Sequence, residues 1–296
     1  MRSMRAGQNA RSPTEVAPRR RERYTTTGFT GVSEALSRLL VSTAPEAQLL
    51  SKQTSSTHSR VRMAMLSGIA GFVDAAGFAS VAGLFPAHIT GELVGAVAGL
   101  SSGSWQREAA RIAVLIVFVM TVVLGALISR SLRKRGQSPL AALFGLMSLG
   151  LLVASVSDAF GSLLGAEAAA FSSAAMKCGL VGAMALQNVV MRHALSSSCP
   201  TTVMTGNLTQ FIIEFVELIV GRGEKTERSL VRSKSEIRLR VLGTALGAFL
   251  ASAALSVFLM TKIGSLGILI PTFAIGSLAL RELKYPTAVS RTGTLY

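Results

Sequence analysis

From about position 62 onward the chain is a succession of apolar runs, several of them close to the roughly 20 residues that a helix needs to cross a hydrocarbon core. Only 15% of the residues are charged, against roughly 25% in soluble domains, and mean hydropathy is +0.50. These features predict an all-α, polytopic helical membrane bundle, with the lipid bilayer as its first partner.

The net charge of +15 could suggest nucleic acid as a partner. The basic residues instead sit in the N-terminal tail and a few loops between apolar runs, where Lys and Arg orient membrane spans. Aromatic residues are only 6%, which leaves no stacking platform for bases, so nucleic acid is not expected. Cys178 and Cys199 read as packing or incidental thiols. Residues 1–62 carry ten Arg and one Lys against four Glu. They read as a basic cytoplasmic tail suited to anionic headgroups, with an organelle transit peptide as the alternative.

The membrane domain is expected over 63–281, as one repeat at 63–157 and a second at 168–281, with a short tail at 282–296. In the first repeat the elements fall near 63–85, 89–100, 109–128 and 139–156. In the second they fall near 168–191, 200–220, 239–260 and 263–280, with 221–238 as a polar loop. Gly68 and Gly71 are echoed by Gly179 and Gly182 at an offset of 111, and they allow close helix contact. The stretch Phe85-Pro86-Ala87-His88-Ile89-Thr90-Gly91-Glu92-Leu93 has a counterpart in Pro200-Thr201-Thr202-Val203-Met204-Thr205-Gly206-Asn207-Leu208. There the Thr-Gly pairs are offset by 115. A duplicated four-element unit accounts for both offsets.

Charge then constrains topology. If all eight elements crossed, the cluster Arg130, Arg133, Lys134 and Arg135 would face outside and the loop with Asp158 and Glu167 would face the cytoplasm. Both placements oppose the bias of basic residues toward the cytoplasm. If the two short Thr-Gly elements re-enter, every strongly charged segment fits. The expectation is about six transmembrane helices plus two short re-entrant ones, the halves inverted and the N-terminus cytoplasmic, as in many transporters and channels.

The candidate solute or ion pathway follows from polar residues at membrane depth, which are costly unless they face protein or water. It comprises Asp74, His88, Thr90, Gly91 and Glu92 in the first half. In the second it comprises Gln187, Asn188, Thr205, Gly206 and Asn207. Thr90 and Thr205 are expected to cap the short helices, and Gly91 and Gly206 to permit close approach. Asp74 aligns with Ala185, so both long helices are expected to carry a polar site at similar depth. Asp74 reads equally as an anchor between helices, and His88 as a turn histidine. Glu214 and Glu217 are expected to meet water or a basic side chain. No P-loop, His-Glu-x-x-His or Gly-x-Ser-x-Gly occurs, and the three histidines are scattered. No enzyme, cofactor or metal site is predicted.

Three motifs in order resemble the YoaK family of bacterial integral membrane proteins, a domain of unknown function. They are Gly71-Phe72-Val73-Asp74-Ala75-Ala76-Gly77-Phe78, Phe85-Pro86-Ala87-His88-Ile89-Thr90-Gly91, and Thr201-Thr202-Val203-Met204-Thr205-Gly206-Asn207-Leu208-Thr209. The resemblance covers about 63–281 and implies an inner-membrane location without an activity. Glu92 stands where such proteins usually show Asn. The functional expectation is a transporter or channel for a small solute or ion, and the alternative is a non-transporting scaffold or assembly protein.

Overall fold

The apolar runs fold as helices, the arrangement in which each segment satisfies its own backbone N–H and C=O groups away from water. A computed structural model describes residues 59–80, 83–101, 103, 105–161, 166–193, 195, 201–220 and 228–286. Most of the basic tail, Cys199, Pro200 and the residues after 286 lie outside the described residues. The long elements are α1 (Ser59–Ser80), α3 (Trp105–Lys134), α4 (Leu140–Gly161), α5 (Ala166–His193) and α7 (Arg228–Ile263). The shorter ones are α2 (Ile89–Leu100), α6 (Met204–Val220) and α8 (Leu269–Lys284), and a 3-10 helix (Gly264–Ile268) joins α7 to α8. No strand occurs among the described residues.

Among the described residues, five helical stretches are long and apolar enough to cross a membrane: Ser59–Ser80, Glu108–Lys134, Leu140–Gly161, Ala168–His193 and Ser235–Lys284. The last spans 50 residues, far more than one crossing needs, and it is interrupted by Gly264 at φ 61 and the 3-10 helix. With its 12 residues α2 is about 18 Å long, too short to cross.

Side-chain contacts set the helix directions. Ser256 Oγ donates to the Phe72 carbonyl at 2.8 Å, and Gly68 faces Ser252, so α1 and α7 run alongside in the same direction. Arg62 meets Glu282 at 3.1 Å, which brings the end of α8 back to the start of α1. Ser148 donates to the Thr272 carbonyl at 3.0 Å and Ser155 to the Ser265 carbonyl at 2.9 Å, so α4 and α8 are antiparallel. Gly150 meets Gly179, and Ser172 Oγ donates to the Ser157 carbonyl, which makes α4 and α5 antiparallel too. Thr121 lies by Gly182, and Arg133 donates to the His193 carbonyl, so α3 and α5 are parallel. The starts of α1 and α7 and the ends of α3, α5 and α8 therefore share one end of the bundle.

The core is formed mainly by α1, α4 and α5. Buried residues of α4 recur at Leu140, Leu143, Phe144, Met147, Leu151 and Ala154, the three-and-four spacing of one helical face. They pack with Leu66, Phe72 and Val73 of α1 and with Met176, Leu180 and Met184 of α5. On α3, Ile116, Met120, Val123, Leu124 and Leu127 remain exposed, a surface suited to hydrocarbon. Lipid drives helices together weakly, so close packing and interhelical hydroxyl bonds carry association. Gly71 lies so close to α7 that an added methyl group would overlap the Phe249 carbonyl.

Several expected boundaries shift. Helices run past the apolar runs into charged ends, because backbone hydrogen bonding continues where hydrophobicity stops. Asp158, expected in a loop, closes α4, and the later part of the expected 221–238 loop begins α7. Cys178 is exposed on α5.

Gly71→Ala is expected to destabilise the protein by about 1–3 kcal/mol, the usual cost of overpacking. Gly145→Ala, with no atom within 4 Å of the added carbon, should be near neutral. Thermal unfolding of both variants in detergent by size-exclusion recovery checks the difference.

Candidate functional site

The chain breaks twice between a long helix and a short one, and each break must satisfy backbone that is no longer helical. At the first, Gly77 lets the returning chain fold onto α1: a methyl there would lie 2.7 Å from Pro86 Cδ. Asp74, 3% exposed, then grips the break with both oxygens. Its Oδ1 accepts the Ala87 backbone N–H at 2.6 Å, and its Oδ2 pairs with His88 Nδ1. The His88 N–H donates to the Phe85 carbonyl at 3.1 Å, and the Phe78 and Phe85 rings stack at 4.9 Å. The free edge of the break is thereby covered, and the imidazole lies against Phe249 of α7.

Glu92, in the first turn of α2, is 4% exposed. Its Oε1 accepts the Phe85 N–H at 2.9 Å, and its Oε2 pairs with Arg111 Nε of α3 at 3.5 Å. The same guanidinium meets Glu108, also buried, at 3.3 Å. Because position 92 pairs with 111 and position 99 lies against 108, α2 runs antiparallel to α3.

The second break is held by amides and hydroxyls. Gln187, fully buried in α5, donates its Nε2 hydrogens to the Leu66 carbonyl and to Thr201 Oγ1, each at 2.9 Å. Thr202 donates to Asn188 Oδ1 at 2.8 Å, while Asn188 Nδ2 donates to the Met184 carbonyl at 3.0 Å. Asn207 is buried at the start of α6, its backbone N–H bonded to the Val203 carbonyl. Farther along α6, Glu214 is buried and accepts from Gln210 at 2.9 Å and from Arg238 of α7 at 3.2 Å. Phe211 faces Gly243, so α6 is antiparallel to α7.

The candidate residues thus fall into two groups. Asp74, His88 and Glu92 surround the first break, and Gln187, Asn188 and Asn207 surround the second. They do not lie at one depth. Gln187 sits opposite Leu66, and from Leu66 to Asp74 the rise along α1 is about 12 Å. Alignment by sequence missed this because residues in equivalent positions of oppositely directed helices fall on opposite sides of the centre. Thr90, Gly91, Thr205 and Gly206 are exposed, and among the described residues the one bond that joins any of them to either group is backbone, from the Gly91 N–H to the His88 carbonyl at 2.9 Å. The threonines do not cap: each is the second residue of its helix, and the boundary residue His88 offers no side-chain bond. At the first break Glu92 does that work by reaching back to Phe85. Gly91 has no atom within 4 Å of an added carbon, so close approach is not its role.

Four residues were not singled out from sequence. Thr201 and Thr202 sat inside the second motif, and their hydroxyls became informative only once Gln187 and Asn188 were seen across from them. Arg111 reads locally as a charge at the edge of a span, although its position three residues after Glu108 is a helix ion-pair spacing. Arg238 reads the same way. Among the described residues no three His, Cys, Asp or Glu side chains converge as metal ligands do.

A family model described as a protein of unknown function (DUF1275) matches residues 62–280, and the chain belongs to that family. No curated protein and no solved structure matches it.

Arg111→Met would leave Glu92 and Glu108 without their shared cation. Breaking a buried pair costs about 3–5 kcal/mol, and with Arg111 29% exposed the lower end applies. The double variant Arg111→Met/Glu92→Gln should recover part of that loss, read as thermal stability in a double-mutant cycle.

Proposed function

We propose that this member of the DUF1275 family moves a small polar solute or ion across a membrane, along a path that involves its two helix breaks. One observation carries the reading. Both breaks are gripped by a polar side chain of the preceding long helix at a separation of 14 residues: Asp74 with His88, Gln187 with Thr201, and Asn188 with Thr202. Non-helical backbone at membrane depth is tolerated where protein or a water-filled cavity satisfies it, and paired interrupted helices are the usual setting for solute sites.

The helix directions support an inverted arrangement. The start of α1 and the end of α3 share one end of the bundle, so α2 leaves and returns on the far side. The end of α5 and the start of α7 share the first end, so α6 enters and returns there. Parallel α1 and α7 correspond to parallel α5 and α3, and each short helix lies antiparallel to the helix that follows it. The shared end carries Arg130, Lys134, Arg135 and Arg192, all exposed, and basic residues favour the cytoplasmic side. An inner-membrane protein with a cytoplasmic N-terminus fits this placement, as does the narrower YoaK assignment within the family.

The second reading is a non-transporting scaffold. The outward placement of Thr90, Gly91, Thr205 and Gly206 favours it, because small and hydroxyl residues on exposed membrane faces suit contact with another helix.

Proteoliposome flux separates the two, using osmotic shrinkage for neutral solutes and a potential-sensitive dye for ions. Transport predicts entry of at least one solute, cut tenfold or more by Asp74→Asn in a protein that remains folded. A scaffold predicts no flux, and Asp74→Asn then only lowers stability. Single cysteines at Ser102 and Gly223 are expected to label from opposite faces; labelling from the same face would remove the inverted arrangement.

A further inference from the structure

The two breaks differ in what they leave unused. At the first, both Asp74 oxygens are engaged, and Glu92 is paired on both sides by the Phe85 N–H and Arg111. At the second, Gln187 is fully buried with both donors used, yet its carbonyl Oε1 has no partner among the described residues. The amide orientation is set by its neighbour: the Leu66 carbonyl accepts only, so the nitrogen must face it and the oxygen must face away. A buried acceptor without a donor is destabilising, and a bound donor would remove that cost.

Next to this oxygen is a complementary group. Thr201 is fully buried, and its Oγ1 accepts from Gln187. Its own O–H proton is committed to no acceptor among the described residues. The second break therefore offers one acceptor and one donor side by side. The side chains that hold it, Gln187, Asn188, Thr201 and Thr202, carry no formal charge. A bare metal cation needs several oxygens at once, and among these four described side chains only Gln187 Oε1 lacks a partner. Among the same four, a carboxylate or phosphate would find no cation.

We propose that the second break binds a small uncharged solute that both donates and accepts hydrogen bonds, an amide or an alcohol, with Gln187 Oε1 taking its donor and the Thr201 hydroxyl meeting its acceptor. The inference rests on the solute-pathway reading for what happens to the molecule after it binds. Binding itself does not depend on flux.

The test is saturation-transfer NMR on the full chain in detergent, with acetamide, acetone and tetramethylammonium as probes. Acetamide and acetone are close in size, but only acetamide donates; tetramethylammonium is a cation without donors. Transfer to the acetamide methyl group should exceed that to acetone several-fold, and tetramethylammonium should show none. Gln187→Met removes the whole amide, while Gln187→Lys keeps donors toward Leu66 and Thr201, removes the acceptor and adds a positive charge. Both should reduce acetamide transfer to the acetone level, whereas Ser148→Ala, a lost hydroxyl bond elsewhere, should leave it unchanged. Equal transfer to acetamide and acetone in the wild type overturns the proposal and leaves the Gln187 oxygen to an internal water. Full acetamide transfer in Gln187→Lys overturns it as well, and tetramethylammonium transfer abolished by Gln187→Lys would assign the site to cations instead. If neither Gln187 variant folds, the wild-type comparison of acetamide with acetone still decides. Acetamide binding without flux would remove the transport reading alone, and flux without acetamide binding would remove this one alone.

Discussion

Two stretches of backbone leave helical geometry between a long apolar helix and a short one, and the polar groups freed there need partners. The fold answers this in the same way twice. A long helix carries a polar side chain on its core-facing side, and that side chain reaches the break that follows. Asp74 holds the Ala87 N–H and His88; Gln187 and Asn188 hold Thr201 and Thr202. The short helices α2 and α6 can start only because the preceding break is fixed, and their packing on α3 and α7 follows from where they start. Gly77 contributes by letting Pro86 lie against α1, which places the break within reach of Asp74. Loss of the first grip would leave the Ala87 N–H without its acceptor, and loss of the second would leave the Thr201 and Thr202 hydroxyls without their amide partners, costs that grow in hydrocarbon.

Much of this architecture is local and so could be read in the chain. Apolar runs mark the helices, proline and glycine mark the first break, and duplicated Thr-Gly pairs mark the repeat of short elements. Asp74 stood out because a carboxylate inside an apolar run is costly wherever it points. What could not be read is pairing across space. Arg111 became meaningful only when α2 packed antiparallel on α3 and brought Glu92 to it. Thr201 and Thr202 became meaningful only when Gln187 and Asn188 came within 3 Å of them. The Thr-Gly pairs show the opposite error: prominent by repetition, they lie on the outer face, away from both groups. Repetition marks what two halves share, and a lipid-facing contact is shared as readily as a binding site.

Charge divides the halves in a way that composition does not reveal. The first break is built with carboxylates, and each is matched: Asp74 with the Ala87 N–H and the His88 ring, and Glu92 with the Phe85 N–H and Arg111. The second break is built with neutral groups, one of which is left over. In a medium of low dielectric, a matched ion pair is rigid and has little capacity for a further charged partner. A neutral amide with a free carbonyl keeps that capacity for an uncharged one.

Glu92 gives this division a specific form. An amide at position 92 could accept the Phe85 N–H as Glu92 does, and it would need no cation. With a carboxylate there, buried against α2 and α3, the chain requires a positive charge within a few ångströms, and Arg111 supplies it from the first turns of α3. That guanidinium also serves Glu108, so three charged groups become one unit that ties the start of α2 to α3. The acid at position 92 therefore strengthens the contact between these two helices at the expense of the freedom of α2. On α6 the matching tie is the pair of Glu214 with Arg238 of α7, so each short helix is fastened by an ion pair to the helix that follows it.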